Sequence, residues 1–306
     1  MVRRKISIRG FGILVLVGLG LTLYFILARA ILPSRYQPLY KEQLLARAEA
    51  ANLVSFFELF GNSISVLGQA PSLDSRDTAT VKIMDAFVEQ WRGSGLVGGV
   101  ILTDRDGVVR FNSNLLRVPD VGRSVADRNY FVWAKNQTRE GEYYISRSTV
   151  SRLGASKGQT IVVVASPVFQ NGTFSGVLAA SVMLEPLTKR YLGLLRASES
   201  TEVYLIDQEE GRLLYSSVDL DATGSGVSEY FQKSSFLGNQ LLAKRLRNAF
   251  SANKEGRVLA VFISPKTARL KIRLMAYSPV ALGSQNWLLI MSSLPQEVFD
   301  FFWLRN

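Results

Sequence analysis

Residues 125–134 read VADRNYFVWA, which sets Arg128 beside Tyr130 and Phe131, with Trp133 just beyond. An arginine fork can grip a carboxylate through two parallel charge-assisted hydrogen bonds, and each such bond contributes about 1.5–3 kcal/mol. Aromatic walls exclude water from that contact and add shape selectivity. Tyr130 also brings a hydroxyl. Further along, EYYISR at 142–147 reads as a strand, and Tyr144 and Ser146 two apart on it share one side and offer polar contacts. The plain alternative is Arg128 paired with Asp127 or Asp104 at the surface, over aromatics that merely fill a core.

Little other chemistry is available. The 306 residues include no cysteine and no histidine, which removes disulfides, thiol and serine–histidine nucleophiles and ordinary zinc sites. Nothing calls for a cofactor or a metal. GASKGQT at 154–160 lacks phosphate-loop spacing, and Ser251–Lys254 fits S-x-x-K without its companion motifs. Asp104, Asp106 and Asp207 sit where turns favour carboxylates. The net charge of +11 comes from dispersed basic residues beyond the N-terminus, with no aromatic-interleaved stripe, so no nucleic-acid partner is expected. At 47% hydrophobic the chain can bury a sizeable core.

The elements that would position Arg128 follow from pattern. Arg3, Arg4, Lys5 and Arg9 precede an uncharged run from Phe11 to Ala28, close to what a bilayer core requires. That reads as a membrane anchor with its N-terminus cytoplasmic, a cleaved signal peptide being the competitor. Helical spacing runs from Pro38 to Gln69, where Pro71 stops it, and again from Ser75 to Trp91 with caps offered by Ser72 to Ser75. After the glycines at 93–99 come strands: a hairpin at 98–113, EYYISR, and a hairpin joined by Asn171-Gly172. A helix then begins near Glu185-Pro186.

The pattern repeats. VYLIDQEEGRLLYSS at 203–217 mirrors VILTDRDGVVRFNS at 100–113, and Tyr230-Phe231 mirrors Tyr130-Phe131. Ser278-Pro279-Val280 mirrors Ser166-Pro167-Val168, and NWLLIMSS mirrors GVLAASVM. Two copies of one α+β unit, each a mainly antiparallel sheet, sharing a long helix, account for this order. Arg128 has no counterpart, because Ser228 takes its place, so its presence has a reason beyond the fold.

With anchor, long helix and tandem units in place, residues 36–300 resemble the double Cache family of extracytoplasmic sensor domains. VADRNYF is similar to the family's Asp-Arg-x-Tyr-Phe signature, and GTFSGVLAASVMLEPL to its Gly-x-x-x-Gly-Val-Leu strand and closing helix. The resemblance implies two PAS-like units, the membrane-distal one holding a small ligand such as an amino acid, amine, carboxylate or purine. In the amino-acid-binding branch an Asp near the end of that strand takes the ligand's ammonium. Ser181 stands there in this chain, and Tyr130-Phe131 stands for a Trp-Tyr pair. The expected division is an anchor at 1–35, helices at 36–95, distal unit at 96–195, proximal unit at 196–300 and a tail at 301–306. The expected ligand set is Arg128, Tyr130, Phe131, Tyr144, Ser146 and Ser181, with no catalysis. The resemblance also implies a homodimer along the long helix and a signalling partner or an output domain. FDFFWL near the end reads as the start of a second membrane segment or as a tail. The runner-up function is a ligand-free structural or interaction module of the cell envelope.

Overall fold

A computed structural model of the chain describes residues 40–74, 76–207, 211–219, 223–224, 226, 237–252, 254–264 and 269–294. The apolar run at 11–28, Ser228, Tyr230-Phe231 and the end of the chain from 295 lie outside the described residues.

Helix α1 spans Tyr40–Gly68. Leu53, Phe56, Phe57, Phe60, Ile64 and Leu67 recur at helical steps on it, and all are buried. By length and composition α1 is the one described helix that could cross a membrane, yet half of its apolar window is buried within the molecule, as a core helix requires. Pro71 opens a short helix α2, Pro71–Asp74, where its missing N–H costs nothing. Helix α3 spans Thr78–Arg92 and starts later than its sequence pattern predicts. Asp77 is the cap: its carboxylate accepts from the Ala79 N–H at 2.7 Å, while the Asp77 N–H donates to the Thr80 hydroxyl. Arg76, at φ 48°, turns the chain into that cap.

The first unit follows as β1 (Val97–Thr103), β2 (Val109–Asn114), α4 (Asn129–Lys135), β3 (Tyr144–Ile145), β4 (Thr149–Val150), β5 (Thr160–Gln170), β6 (Thr173–Met183) and α5 (Leu184–Leu192). The second holds β7 (Glu202–Asp207), β8 (Leu213–Ser216), α6 (Leu237–Ala252), β9 (Gly256–Ile263), β10 (Leu270–Ala281) and β11 (Asn286–Ser293). All strand pairs are antiparallel. The first sheet runs β2-β1-β6-β5-β3, with β4 also on β5; the second runs β8-β7-β11-β10-β9. The fold is therefore α+β with one strand order used twice.

The duplication extends to irregularities. The β1/β2 register shifts between Leu102 and Thr103, and the β7/β8 register shifts at the equivalent Leu205 and Ile206. Each hairpin closes with a matching bond, Asp104 N–H to Val108 O and Asp207 N–H to Arg212 O. Pro167 and Pro279 each lie two residues past the last partner on their strand's outer side, Ala165 and Tyr277, so no ladder bond is forfeited there.

One face of each sheet packs on α1 in a shared core, where Trp287 meets Phe57 edge-on with ring centroids 5.4 Å apart. The opposite face of the second sheet is covered by α6 and that of the first by α4.

The strand expected over 142–147 breaks after Ile145. Ser146 donates its N–H to Val163 O, but its hydroxyl takes the Val163 N–H at 2.8 Å in place of its carbonyl. The freed Ser146 carbonyl turns to the second unit and accepts from Gln285 Nε2 at 2.6 Å.

Candidate functional site

The α4 face of the first sheet holds a cavity of about 60 Å³, floored by Ile161, Val163, Ala179 and Ser181 and roofed by Arg128 and Tyr130. Arg128 is the cap residue of α4, in extended conformation, and its side chain makes no capping bond. The guanidinium reaches across to β4, where Nη1 donates to Thr149 Oγ1 at 3.2 Å and Nη2 lies 3.5 Å from Val150 O. The surface pairings offered as its plain alternative are taken by other residues. Asp127 pairs with Arg152 at 2.7 Å and Asp104 with Arg110 at 2.7 Å. Among the described residues Arg128 makes no ion pair.

Tyr130 is buried beneath Arg128, and its hydroxyl has no hydrogen-bond partner among the described residues. Burial pushes its phenol well above the usual value, against the partial opposition of Arg128 and Arg152, so it remains a proton donor. Ser181 lies on the floor in a chain of hydroxyls: Ser156 Oγ donates to Ser151 Oγ at 3.0 Å and sits 3.5 Å from Ser181 Oγ. Gly98 leaves room for them, since a Cβ there would lie 2.8 Å from Ser156 Cβ and 2.9 Å from Ser181 Oγ.

The other three expected residues point elsewhere. Phe131 packs edge-on against Phe174 in the core under α4. Tyr144 stacks on Trp133 with centroids 5.2 Å apart. Ser146 is consumed by the ladder bond to Val163. Arg128, Tyr130 and Ser181 thus share the cavity, while Phe131, Tyr144 and Ser146 do not line it.

Sequence reasoning passed over several lining residues. Arg152 and Thr149 come from the β4 region, and Asn112, Asn114 and Asp120 from β2 and the loop after it. Both asparagine Nδ2 groups donate to Val118 O, at 2.8 and 2.7 Å, and Asn114 Oδ1 accepts from the N–H groups of Leu116 and Val118. That network fixes the loop carrying Asp120, a carboxylate only 4% exposed. The alternation of Asn112 and Asn114 on a strand was the available signal; Asp120 in a Pro-Asp-Val-Gly turn offered none. Among the described residues no group of three His, Cys, Asp or Glu could hold a metal.

Residues 37–300 match the family model described as Cache domain, dCache_1. A comparison with curated proteins finds no match. The chain is similar in fold to an extracellular ligand binding receptor from Desulfohalobium retbaense, with TM-score 0.60, 12% identity and 83% of this chain covered; it spans 40% of that receptor's length. It is similar to the ligand-binding domain of the Pseudomonas fluorescens chemoreceptor CtaA, solved with L-isoleucine, with TM-score 0.60, 17% identity, 90% of this chain covered and 99% of that one. A third likeness is to the ligand binding domain of the Pseudomonas aeruginosa amino acid chemoreceptor PctB, solved with L-Gln: TM-score 0.58, 16% identity, 85% and 93% covered.

Proposed function

Because this chain belongs to the Cache domain family, we propose that its first unit is the sensor pocket of a membrane-anchored extracytoplasmic protein. The ligand is a small anionic or zwitterionic metabolite gripped by Arg128. The observation that carries this reading is an arginine at the edge of the first-sheet cavity that makes no ion pair among the described residues. A guanidinium held by one hydroxyl and a long carbonyl contact keeps donors available for a carboxylate. Tyr130 and Ser181 supply neutral polar contacts, and Phe131, Tyr144 and Ser146 support the pocket from behind. Both amino acids named in the chemoreceptor structures carry a carboxylate, in keeping with an arginine grip.

The run at 11–28 anchors the protein, with the N-terminus cytoplasmic and the first unit distal to the membrane. Ligand closure biases α1, which touches both units, and passes a signal to a partner or an output domain. The pocket binds and does not catalyse: the chain has no histidine or thiol, and among the described residues Asp120 is the one carboxylate lining the cavity. A homodimer along α1 follows the family's habit. The competing reading, a ligand-free module, draws on Ser181 standing where a carboxylate would take an ammonium.

The test is thermal unfolding of the intact chain in detergent against carboxylates, amino acids, amines and purines, for wild type and Arg128→Ala. A ligand at a hundred times its dissociation constant adds about 2.7 kcal/mol. A shift that vanishes in Arg128→Ala is the expected result. No shift across the panel overturns the reading in favour of the ligand-free module.

A further inference from the structure

We infer that the β9–β10 hairpin of the second unit rests its aliphatic face on the lipid bilayer. The inference depends on the membrane-anchored reading above and adds a second point of membrane contact to it.

β9 and β10 pair without a register shift from Gly256 and Tyr277 to Ile263 and Leu270. Alternation puts Ala260, Phe262, Met275 and Tyr277 on the face that α6 covers. The other face carries Leu259 and Val261 on β9 and Leu270 and Ile272 on β10, with Val261 directly opposite Ile272. That is the side of Val280, which packs in the core shared with α1, but the cover stops short of the hairpin. Leu259, Val261, Leu270 and Ile272 are 57, 37, 59 and 46% exposed. The fold does not demand them. Counting back from the matched Pro279 and Pro167, the first unit has Gly158 and Thr160 where the second has Leu270 and Ile272. A contiguous aliphatic surface present in one copy of a duplicated unit reads as a contact surface.

The hairpin projects towards the anchor. β11 ends at Ser293, opposite Leu274, and β10 extends past that point to Leu270, about 14 Å further at the rise of a strand. Helix α1 runs back along β11, since Glu42 lies by Ser293 and Phe57 meets Trp287 near the other end of β11. The start of α1 and the far end of the hairpin therefore share one end of the unit. Residues 29–39 join that end to the apolar run at 11–28, and fully extended they reach at most about 40 Å.

The charge suits an anionic bilayer. Between Gly256 and Arg273 the charged residues are Arg257, Lys266, Arg269, Lys271 and Arg273, with no acid among them. Lys271 and Arg273 are engaged by Glu202, whereas Arg257 and Arg269 are exposed and flank the aliphatic residues in sequence. The hairpin is also held firm. The Ser264 N–H donates to Arg269 O at 2.8 Å, and Asn239 of α6 grips Ile263 through both its N–H, at 2.7 Å, and its carbonyl, at 2.9 Å.

The test uses the absence of cysteine from the chain, which makes single labels unambiguous. Val261→Cys and Ile272→Cys each carry a fluorescent label, and Val66→Cys and Leu194→Cys, at exposed residues away from the hairpin, serve as controls. The intact chain is placed in phosphatidylcholine–phosphatidylglycerol vesicles with and without bromine on the upper acyl carbons, because an interfacial element lies about 5–10 Å into the headgroup boundary. Labels at 261 and 272 are expected to lose most of their emission to bromine, while those at 66 and 194 keep theirs. Labels at 261 and 272 that stay bright overturn the inference: a blue shift then means cover by protein, either a second copy or another stretch of this chain, and no shift means water. Equal quenching at all four positions overturns it too, since no face is then preferred. A chain that resists an alkaline wash yet shows either result removes this inference and leaves the anchor standing. A chain that the wash strips from the vesicles removes both.

Discussion

Glu42 on α1 is 1% exposed at the junction with the second sheet, and neither of its oxygens has a satisfactory hydrogen-bond partner among the described residues. Burial pushes its carboxyl up from 4.5 to about 7; the Ser293 hydroxyl and the charge of Arg273 offset this only in part. Arg273 is already engaged, since it bonds Glu202, which also takes Lys271 Nζ at 2.9 Å and the Tyr204 hydroxyl at 2.8 Å. Folded and unfolded chains are both protonated at Glu42 below pH 4.5, so no penalty exists there. As pH rises through 7 the unfolded chain has released the proton and the folded chain must follow at a cost. The displacement corresponds to about 3 kcal/mol lost between pH 4.5 and 8. Glu42→Gln keeps the shape without the charge. Urea unfolding of the detergent-solubilised chain is the assay, at pH steps from 4.5 to 8. The variant should match wild type at pH 4.5 and exceed it by about 3 kcal/mol at pH 8. Parallel profiles for the two proteins across that range would refute the reasoning.

Substitutions at two further residues probe the joint between units. Trp287→Ala removes a fully buried ring from its contact with Phe57 and should cost about 3–5 kcal/mol in the same unfolding assay. Gln285→Ala leaves the Ser146 carbonyl and the Trp287 indole N–H without their partners and should cost about 1–3 kcal/mol, while Gln285→Glu keeps only the acceptor and should recover part of that loss.

The features legible in the sequence are those set by local chemistry. Asn171-Gly172 demanded a tight hairpin, and both residues adopt positive φ, 53° and 73°. The helical spacing of Phe56, Phe60, Ile64 and Leu67 announced part of the buried face of α1, whereas Leu44, Ala48, Ala51 and Leu59, which share that spacing in the sequence, lie exposed. The repeat showed in turn and proline positions because both copies bulge and pair alike. Features set by side chains competing with the backbone were hidden. EYYISR alternates like a strand, and only the Ser146 hydroxyl's bond to Val163 interrupts it. Tyr130 and Phe131 were grouped as one aromatic wall, but neighbours on a helix diverge by about 100°, so one faces the cavity and the other the core. Asp120 was invisible because a turn aspartate is ordinary until its loop is seen folded over a cavity.

The most direct measurement is a crystal structure of the protein with the tightest carboxylate from the binding panel. The account predicts that ligand in the first-unit cavity, its carboxylate oxygens within about 2.7–3.2 Å of the Arg128 guanidinium. Ligand density in the second unit, or a carboxylate turned away from Arg128, would contradict it.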